Sequence, residues 1–398
     1  MTSLLNRRAA SRLVVLPLVT SALMLVTSMG RPPDVRAARE PGPDVPRRSA
    51  IEAGSVPVFA YYYVWFRPGS WDRAKTDLPL LGAYDSADPA VVAQHIRWAR
   101  EAGINGFIVS WKHEARLDAP LALLVDEARR QNFKLILLYE GLDFQRNPLP
   151  VSQVSSDLQW FLATYGSNPV FDVWGQPAVI WSGTWKFSSP DVAKVRATLR
   201  ARAKVLLLGS ERSASDFAAR SALFDGDAYY WSSADPQLTP GYQKRLDDLA
   251  AAVRASGGRW VAPIVPGFDA RLVGGSSVVS RRSGDTYRAS WAGAVSSDPS
   301  ALGIISWNEF SENSHIEPSR SNQYSYLNLT AQLTGSPPFK PDTQVLPNVI
   351  GPPADGPTDS SELGPAVATR EQLLSWLVTA ALLGAIFVSA VRSRTRTA

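Results

Sequence analysis

The 398-residue chain contains no cysteine. That removes disulfide frameworks, thiolate metal sites, iron–sulfur clusters and a cysteine nucleophile at once. Only three histidines occur, His95, His113 and His315. They do not suggest a His-based metal cluster, and no HExxH, GxSxG, GxGxxG or phosphate-loop pattern is present. Charge of one sign is also scarce in the middle of the chain: residues 55–340 hold 29 basic and 27 acidic side chains. A segment so near neutrality has no basic stripe, which argues against nucleic acid as a partner. Chemistry is left to carboxylates, aromatic rings and arginine. With 45% hydrophobic and 19% charged residues, the chain is too apolar for disorder and long enough for one large domain or two ordinary ones.

Long runs that are both uncharged and strongly apolar lie at the two ends. Arg7, Arg8 and Arg12 precede a run from 13 to 29 that carries no charge, followed by a Pro-rich polar stretch, the order of a secretory signal or an N-terminal anchor over residues 1–37. Residues 38–54 read as a leader linker. At the other end, residues 373–391 are uncharged over 19 positions and precede Arg392, Arg394 and Arg396. This is the length of a membrane-spanning helix with a basic cytoplasmic tail at 392–398. Residues 336–372, rich in Pro, Gly, Asp and Ser, read as a stalk. The expected location is the cell membrane, with the middle domain outside.

Between 55 and 335, eight runs rich in β-branched and aromatic residues recur, at 57–66, 103–111, 133–141, 176–183, 204–211, 226–233, 259–268 and 301–310. Helical spacing fills the gaps at 89–101, 120–131, 154–165, 190–203, 213–222, 242–255 and 286–295. Asp88-Pro89 and Ser189-Pro190 are a capping side chain followed by a first-turn proline. Eight strands alternating with helices over about 280 residues predict an α/β fold, a (β/α)8 TIM barrel at 55–335, although an open doubly wound sheet alternates in the same way. The missing Gly-rich phosphate turn and the residues at the run ends favour the barrel. Those ends carry Tyr62, Tyr63 and Trp65; Trp111; Tyr139 and Glu140; Trp181; Glu211; Tyr230 and Trp231; Asp269 and Arg271; Asn308, Glu309 and Glu312. A closed barrel gathers them on its C-terminal mouth, where barrel enzymes work.

The segment IISWNEFSENSHIEP places Glu309 and Glu312 just after the last run. Two neighbouring carboxylates can divide the work of cleaving a glycosidic bond, one neutral and one ionised. A Glu pair three apart is most often a solvated helix face, so its position amid Trp and Tyr is what gives it weight. Aromatic rings stack on the C–H faces of sugars, and 13 tryptophans suit a carbohydrate cleft. Trp98, Trp160 and Trp174 are expected in the core instead.

On these residues the chain resembles glycoside hydrolase family 99, the retaining endo-α-mannosidases and endo-α-mannanases, and more loosely the family 71 α-1,3-glucanases. AYYYVWF (60–66), HIRWAREAGINGFIVSW (95–111), PGFDARLVGGSSVVSRRSGDTYRASW (266–291) and ISWNEFSENSHIEPS (305–319) carry the resemblance in order. It implies that Glu309 deprotonates the sugar 2-hydroxyl and that Glu312 protonates the leaving oxygen, then activates water. It also implies that Glu140 grips sugar hydroxyls, that Trp111 lines a neighbouring subsite, and that Tyr62, Tyr63 and Tyr230 surround the reacting sugar. Trp65 and Asn308 are candidate substrate contacts. Asp269 and Arg271 either touch substrate or brace the loop after the seventh run as an ion pair. The family's Trp-His between the two glutamates is Phe310-Ser311 here, and its Gly-Thr-Gln is Asn313-Ser314-His315. The motif holds no metal ligand set and implies no cofactor. The expectation is an exported, membrane-anchored hydrolase of α-linked oligo- or polysaccharides. A surface glycan-binding protein that has lost turnover, or a structural wall protein without a pocket, are the competing readings.

Overall fold

The computed structural model describes residues 56–340. The predicted signal or anchor, the whole leader, nearly all of the stalk, the predicted spanning helix and the basic tail lie outside those residues. Among the described residues no helix is long and apolar enough to cross a membrane.

Eight parallel strands close into a barrel: β1 (Val58–Tyr63), β2 (Gly106–Trp111), β3 (Lys134–Glu140), β4 (Ala178–Ser182), β5 (Leu206–Gly209), β6 (Gly226–Asp227), β7 (Arg259–Ile264) and, after a hairpin of β8 (Phe268–Asp269) and β9 (Val278–Val279), β10 (Ala301–Ile304). Their order around the ring is β1-β10-β7-β6-β5-β4-β3-β2. The closing pair aligns Phe59 with Gly303 and the opening pair aligns Tyr61 with Ile108. The strands are buried on both faces because one faces the barrel interior and the other the helix layer, and the longer ones are largely apolar for that reason. The helices are α1 (Pro89–Glu101), α2 (Ala115–Arg130), α3 (Val151–Tyr165), α4 (Ser189–Arg200), α5 (Ala214–Arg220), α6 (Tyr242–Ala255), α7 (Asp285–Ser296) and α8 (Ser325–Thr334).

Local chemistry sets the helix starts. Asp88 accepts from the Ala90 N–H at 2.8 Å with Pro89 beside it, whereas α4 is capped by Ser188, one residue before the expected Ser189, in a capping box with Asp191. Both satisfy amide groups that the first turn leaves unpaired. The α2 helix begins five residues earlier than Pro120 suggested. Glu114 caps it through its carbonyl, and the added turn brings Asp118 under the Trp111 indole. The α8 helix was not among the predicted helices, although Tyr326, Leu327, Leu329, Thr330 and Ala331 form one buried face.

All eight runs are longer than the strands they contain, and the runs 226–233 and 301–310 differ most. Beyond Asp227 the run 226–233 keeps one more rung, Ala228 N–H to the Gly209 carbonyl, and then turns to present Tyr230 to the mouth. The run 301–310 leaves the sheet after Ile304 and folds back on itself through the Ser306 N–H to Ser314 carbonyl bond at 2.8 Å. In both cases a residue near the end, Tyr230 in one and Glu309 in the other, serves the mouth rather than the ladder.

Candidate active site

Alternation along β1 decides which tyrosines face the interior. The Tyr61 ring lies inside the barrel, edge-on to Tyr230 at 5.0 Å, and a side chain at Gly303 would press on it at 3.1 Å. Tyr63 shares this face: its hydroxyl lies 2.8 Å from that of Tyr230, and its ring packs against Trp65 at 4.4 Å. Burial pushes both hydroxyls well above the ordinary tyrosine range, so they remain protonated and able to donate. Tyr62 points the other way. It stacks on Phe107 at 4.5 Å and meets His95 Nδ1 on α1 at 3.0 Å.

The same rule separates Glu140 from Trp111. Ser110, on the interior face of β2, donates to Glu140 Oε1 at 2.7 Å. Its neighbour Trp111 therefore faces outward: fully buried, it donates to Asp118 of α2 at 2.9 Å and stacks on Trp160 of α3. The structure thus gathers Tyr63, Trp65, Glu140 and Tyr230 at the mouth and places Tyr62 and Trp111 in the layer between barrel and helices.

Glu309 and Glu312 sit in the loop after β10. The Glu309 amide donates to Ser306 Oγ at 2.8 Å, and its Oε1 accepts from the Ser311 amide at 2.9 Å. The backbone of Glu312 is held by its carbonyl, which accepts from the Asp269 amide on β8 at 2.7 Å. Burial pushes the Glu309 carboxyl up to about 7, with the Ser311 amide and the Lys75 charge pulling against it. Burial, reinforced by the negative charge of Glu309, pushes Glu312 up to about 8. Two carboxyls so close and so dry do not both ionise readily, which favours one neutral and one charged group near pH 7. Glu140 is raised by burial too, held back by its Ser110 bond and by Arg146 and Lys112.

Asn308 is a brace rather than a free polar group. Its Oδ1 accepts from the Tyr63 amide at 2.9 Å and its Nδ2 donates to the Tyr63 carbonyl at 3.0 Å, tying the end of β1 to the loop after β10. Behind it, Tyr84 donates to Glu317 at 2.9 Å, and Glu317 lies 3.1 Å from His95. Asp269 and Arg271 form a two-bonded ion pair at 2.9 and 2.6 Å, with the arginine side chain 68% exposed and the carboxylate nearly buried. The Arg271 bonds hold the Asp269 carboxyl below its ordinary range.

The Phe310-Ser311 departure is absorbed by packing. Phe310 is fully buried, stacked on His315 at 3.9 Å and edge-on to Trp71 at 5.6 Å. Burial lowers His315 to about 4, so the neutral ring donates from Nε2 to Asp77 at 3.2 Å. Arg281 donates to the carbonyls of Asn313 and His315 at 2.9 and 2.7 Å and clamps the far side of the loop.

Several contributors escaped sequence reasoning. Tyr61 and Ser110 were legible from the period-two alternation once Tyr63 and Glu140 were placed inward. Lys75 and Arg146 lie in irregular loops, where no periodicity marks them. Among the described residues no group of three His, Asp or Glu side chains could hold a metal ion.

Comparison with known proteins bears on the family and the fold. The chain is 22% identical over 289 residues to the glycoprotein endo-alpha-1,2-mannosidases of Mus musculus and Rattus norvegicus, a match covering 64% of this chain. It spans 60% of the length of those curated relatives. The fold is shared with the GH99 endo-alpha-mannosidase from Bacteroides thetaiotaomicron, at a TM-score of 0.62 and 22% identity over 70% of this chain and 96% of that one. A glycoside hydrolase-like protein superposes at a TM-score of 0.57 and 14% identity, covering 71% of this chain and 94% of that one. Residues 67–334 match the model of glycosyl hydrolase family 99, and the chain belongs to that family.

Proposed function

We propose that this protein is a retaining endo-α-glycosidase of the endo-α-mannosidase kind, hydrolysing α-linked glycans with Glu309 and Glu312. The observation that carries the reading is the buried pair itself: two glutamates on one loop at the barrel mouth, both raised, with Glu312 raised further. The family and the relatives' names supply the bond type.

Ionised Glu309 accepts the proton of the sugar 2-hydroxyl as that oxygen attacks C1, and protonated Glu312 gives its proton to the departing oxygen. The 1,2-anhydro sugar so formed is opened by water, which Glu312 deprotonates, while Glu309 returns its proton to the 2-oxygen. Two inversions at C1 leave the configuration unchanged, without a covalent bond to the enzyme, unlike the common nucleophile route. Tyr63 and Tyr230, kept protonated by burial, are proposed to donate to the reacting sugar, and Glu140 to accept from its hydroxyls. Asn308 and Asp269 are proposed to act through others, holding the Tyr63 backbone and the Glu312 backbone.

The leader, the uncharged run at 373–391 and the arginines beyond it support a further proposal, that the domain is exported and held at the cell membrane. The test of activity is to incubate the full-length chain with α-linked mannan and glucan oligosaccharides beside the Glu312→Gln variant. Wild type is expected to release reducing oligosaccharides, with the variant slower by about 10²–10⁴-fold. Binding of sugar with no product from either protein would favour the glycan-binding reading.

A further inference from the structure

The four large apolar side chains most exposed among the described residues are Phe144, Leu238, Leu272 and Val278. All sit in the segments that connect the C-terminal ends of barrel strands to the helices that follow, on the face that carries the glutamates. Phe144 is the extreme case, an aromatic ring 73% exposed, and the segment that carries it is built with care. Leu142 and Pro148 pair across a short antiparallel bridge. The Leu149 amide bonds the Gly141 carbonyl at 2.9 Å, and the Asp143 amide bonds the Asn147 carbonyl at 2.9 Å. At the tip, Asp143 Oδ1 accepts from the Asn147 amide at 2.8 Å, and Arg146 takes a left-handed φ of 64°. The base of the hairpin rests on Gly183, where any Cβ would strike Leu142 at 2.5 Å.

This hairpin follows directly from Glu140, and its Arg146 acts on the charges of both Glu140 and Glu312. The Lys112 ammonium sits over the Phe144 ring at 5.2 Å from its centroid while pairing with Glu114 at 3.0 Å. One face of the ring is thus covered by a cation that is itself anchored, and the ring remains largely open to solvent. An exposed aromatic ring costs solvation unless something covers it. Here it is fixed in place by a cation–π contact and a closed turn, so little ordering remains to be done when a ligand arrives.

We infer that the 141–149 hairpin is an outer sugar subsite, in which the open face of Phe144 stacks on a sugar unit beyond the reacting one and its immediate neighbour, and Arg146 donates to that unit's hydroxyls. Trp111, turned outward into the helix layer against Asp118 and Trp160, is not available to that unit. The subsite rests on the proposed glycan-cleaving role of the mouth, but it is tested by binding, which needs no turnover. It also makes Phe144 a determinant of chain-length preference: a disaccharide gains less from it than a longer oligomer.

The experiment uses full-length Glu312→Gln protein and measures equilibrium binding of α-1,2-linked mannobiose and mannotetraose by titration calorimetry, alone and combined with Phe144→Ala or Phe144→Tyr. The expected result is tighter binding of the tetramer, with its advantage over the dimer reduced about tenfold by Phe144→Ala, on the order of one stacking contact, and restored by Phe144→Tyr. A tetramer advantage unchanged by Phe144→Ala would overturn the subsite even if the wild-type enzyme cleaves these sugars. Binding with the expected loss but no cleavage by wild type would uphold the subsite and overturn the hydrolase reading. Failure of both sugars to bind would overturn both.

Discussion

At the scale of residues, the site works by making carboxyl groups dry. Glu309 and Glu312 are raised for the same reason, burial, but opposed differently: Glu309 has an amide and Lys75 favouring its charge, whereas Glu312 has the charge of Glu309 disfavouring its own. The proposed chemistry needs Glu309 ionised and Glu312 protonated. Raising the pH through about 7 populates the working form, and raising it past about 8 removes the acid. The expected pH profile of kcat/KM is therefore a narrow bell between those limbs, belonging to the pair rather than to either residue. A profile flat from pH 5 to 9 would show that these groups do not control the step. The placement of the two glutamates at the mouth was legible in the sequence, because they follow the last strand within a few residues. Which tyrosines and tryptophans join them was legible only in part. Tyr63 and Tyr230 come together as expected, whereas Tyr62 and Trp111 occupy the alternate strand face. A residue one position from an inward neighbour must point outward, and run-end composition alone does not carry that parity.

At the scale of elements, strand and helix content followed from period and composition, while the ends of elements followed from contacts that lie far away in the chain. The α1 and α6 helices match their expected bounds, since Asp88-Pro89 and an uninterrupted apolar stripe are local signals. The β6 strand does not, because its length is set by partners on β5 and β7 rather than by its own aromatics. Gly226 shows how tightly that short strand is held: a Cβ there would lie 2.0 Å from the Arg259 carbonyl oxygen on β7, and its φ is 156°. Gly226→Ala is expected to part β6 from β7 and lower stability by about 2–4 kcal/mol, the range of severe backbone and packing substitutions. Denaturant unfolding followed by circular dichroism reads this directly, and a variant as stable as wild type would contradict the barrel geometry at that seam. The α8 helix and the β8–β9 hairpin were not legible. The hairpin has only two residues per strand, and its role, donating the Asp269 amide to Glu312, is visible only when the loops are in place.

At the scale of the whole molecule, the barrel divides its labour between two ends. On the side where strands begin, Asn105 Oδ1 accepts from the Val58 amide at 2.8 Å and Thr334 donates to the Ala102 carbonyl at 3.1 Å, knitting the α1–β2 turn to both ends of the domain. On the side where strands end lie the raised carboxyls, the paired tyrosines and the exposed Phe144. Family 99 membership and the barrel were legible from the order of motifs along the chain, since eight runs closing into a ring is what makes scattered end residues neighbours. The near-neutral charge of the middle segment fits a mouth that reads shape and hydroxyl groups rather than a charged polymer.

The central claim is cleavage with retention, and the stereochemistry of the first product tests it most directly. Proton NMR of full-length protein acting on an α-1,2-linked mannooligosaccharide, followed from the first minutes before mutarotation, is expected to show the α anomer of the newly released reducing end accumulating ahead of the β anomer. Early accumulation of the β anomer would mean a single displacement by water and would contradict the assigned roles of Glu309 and Glu312.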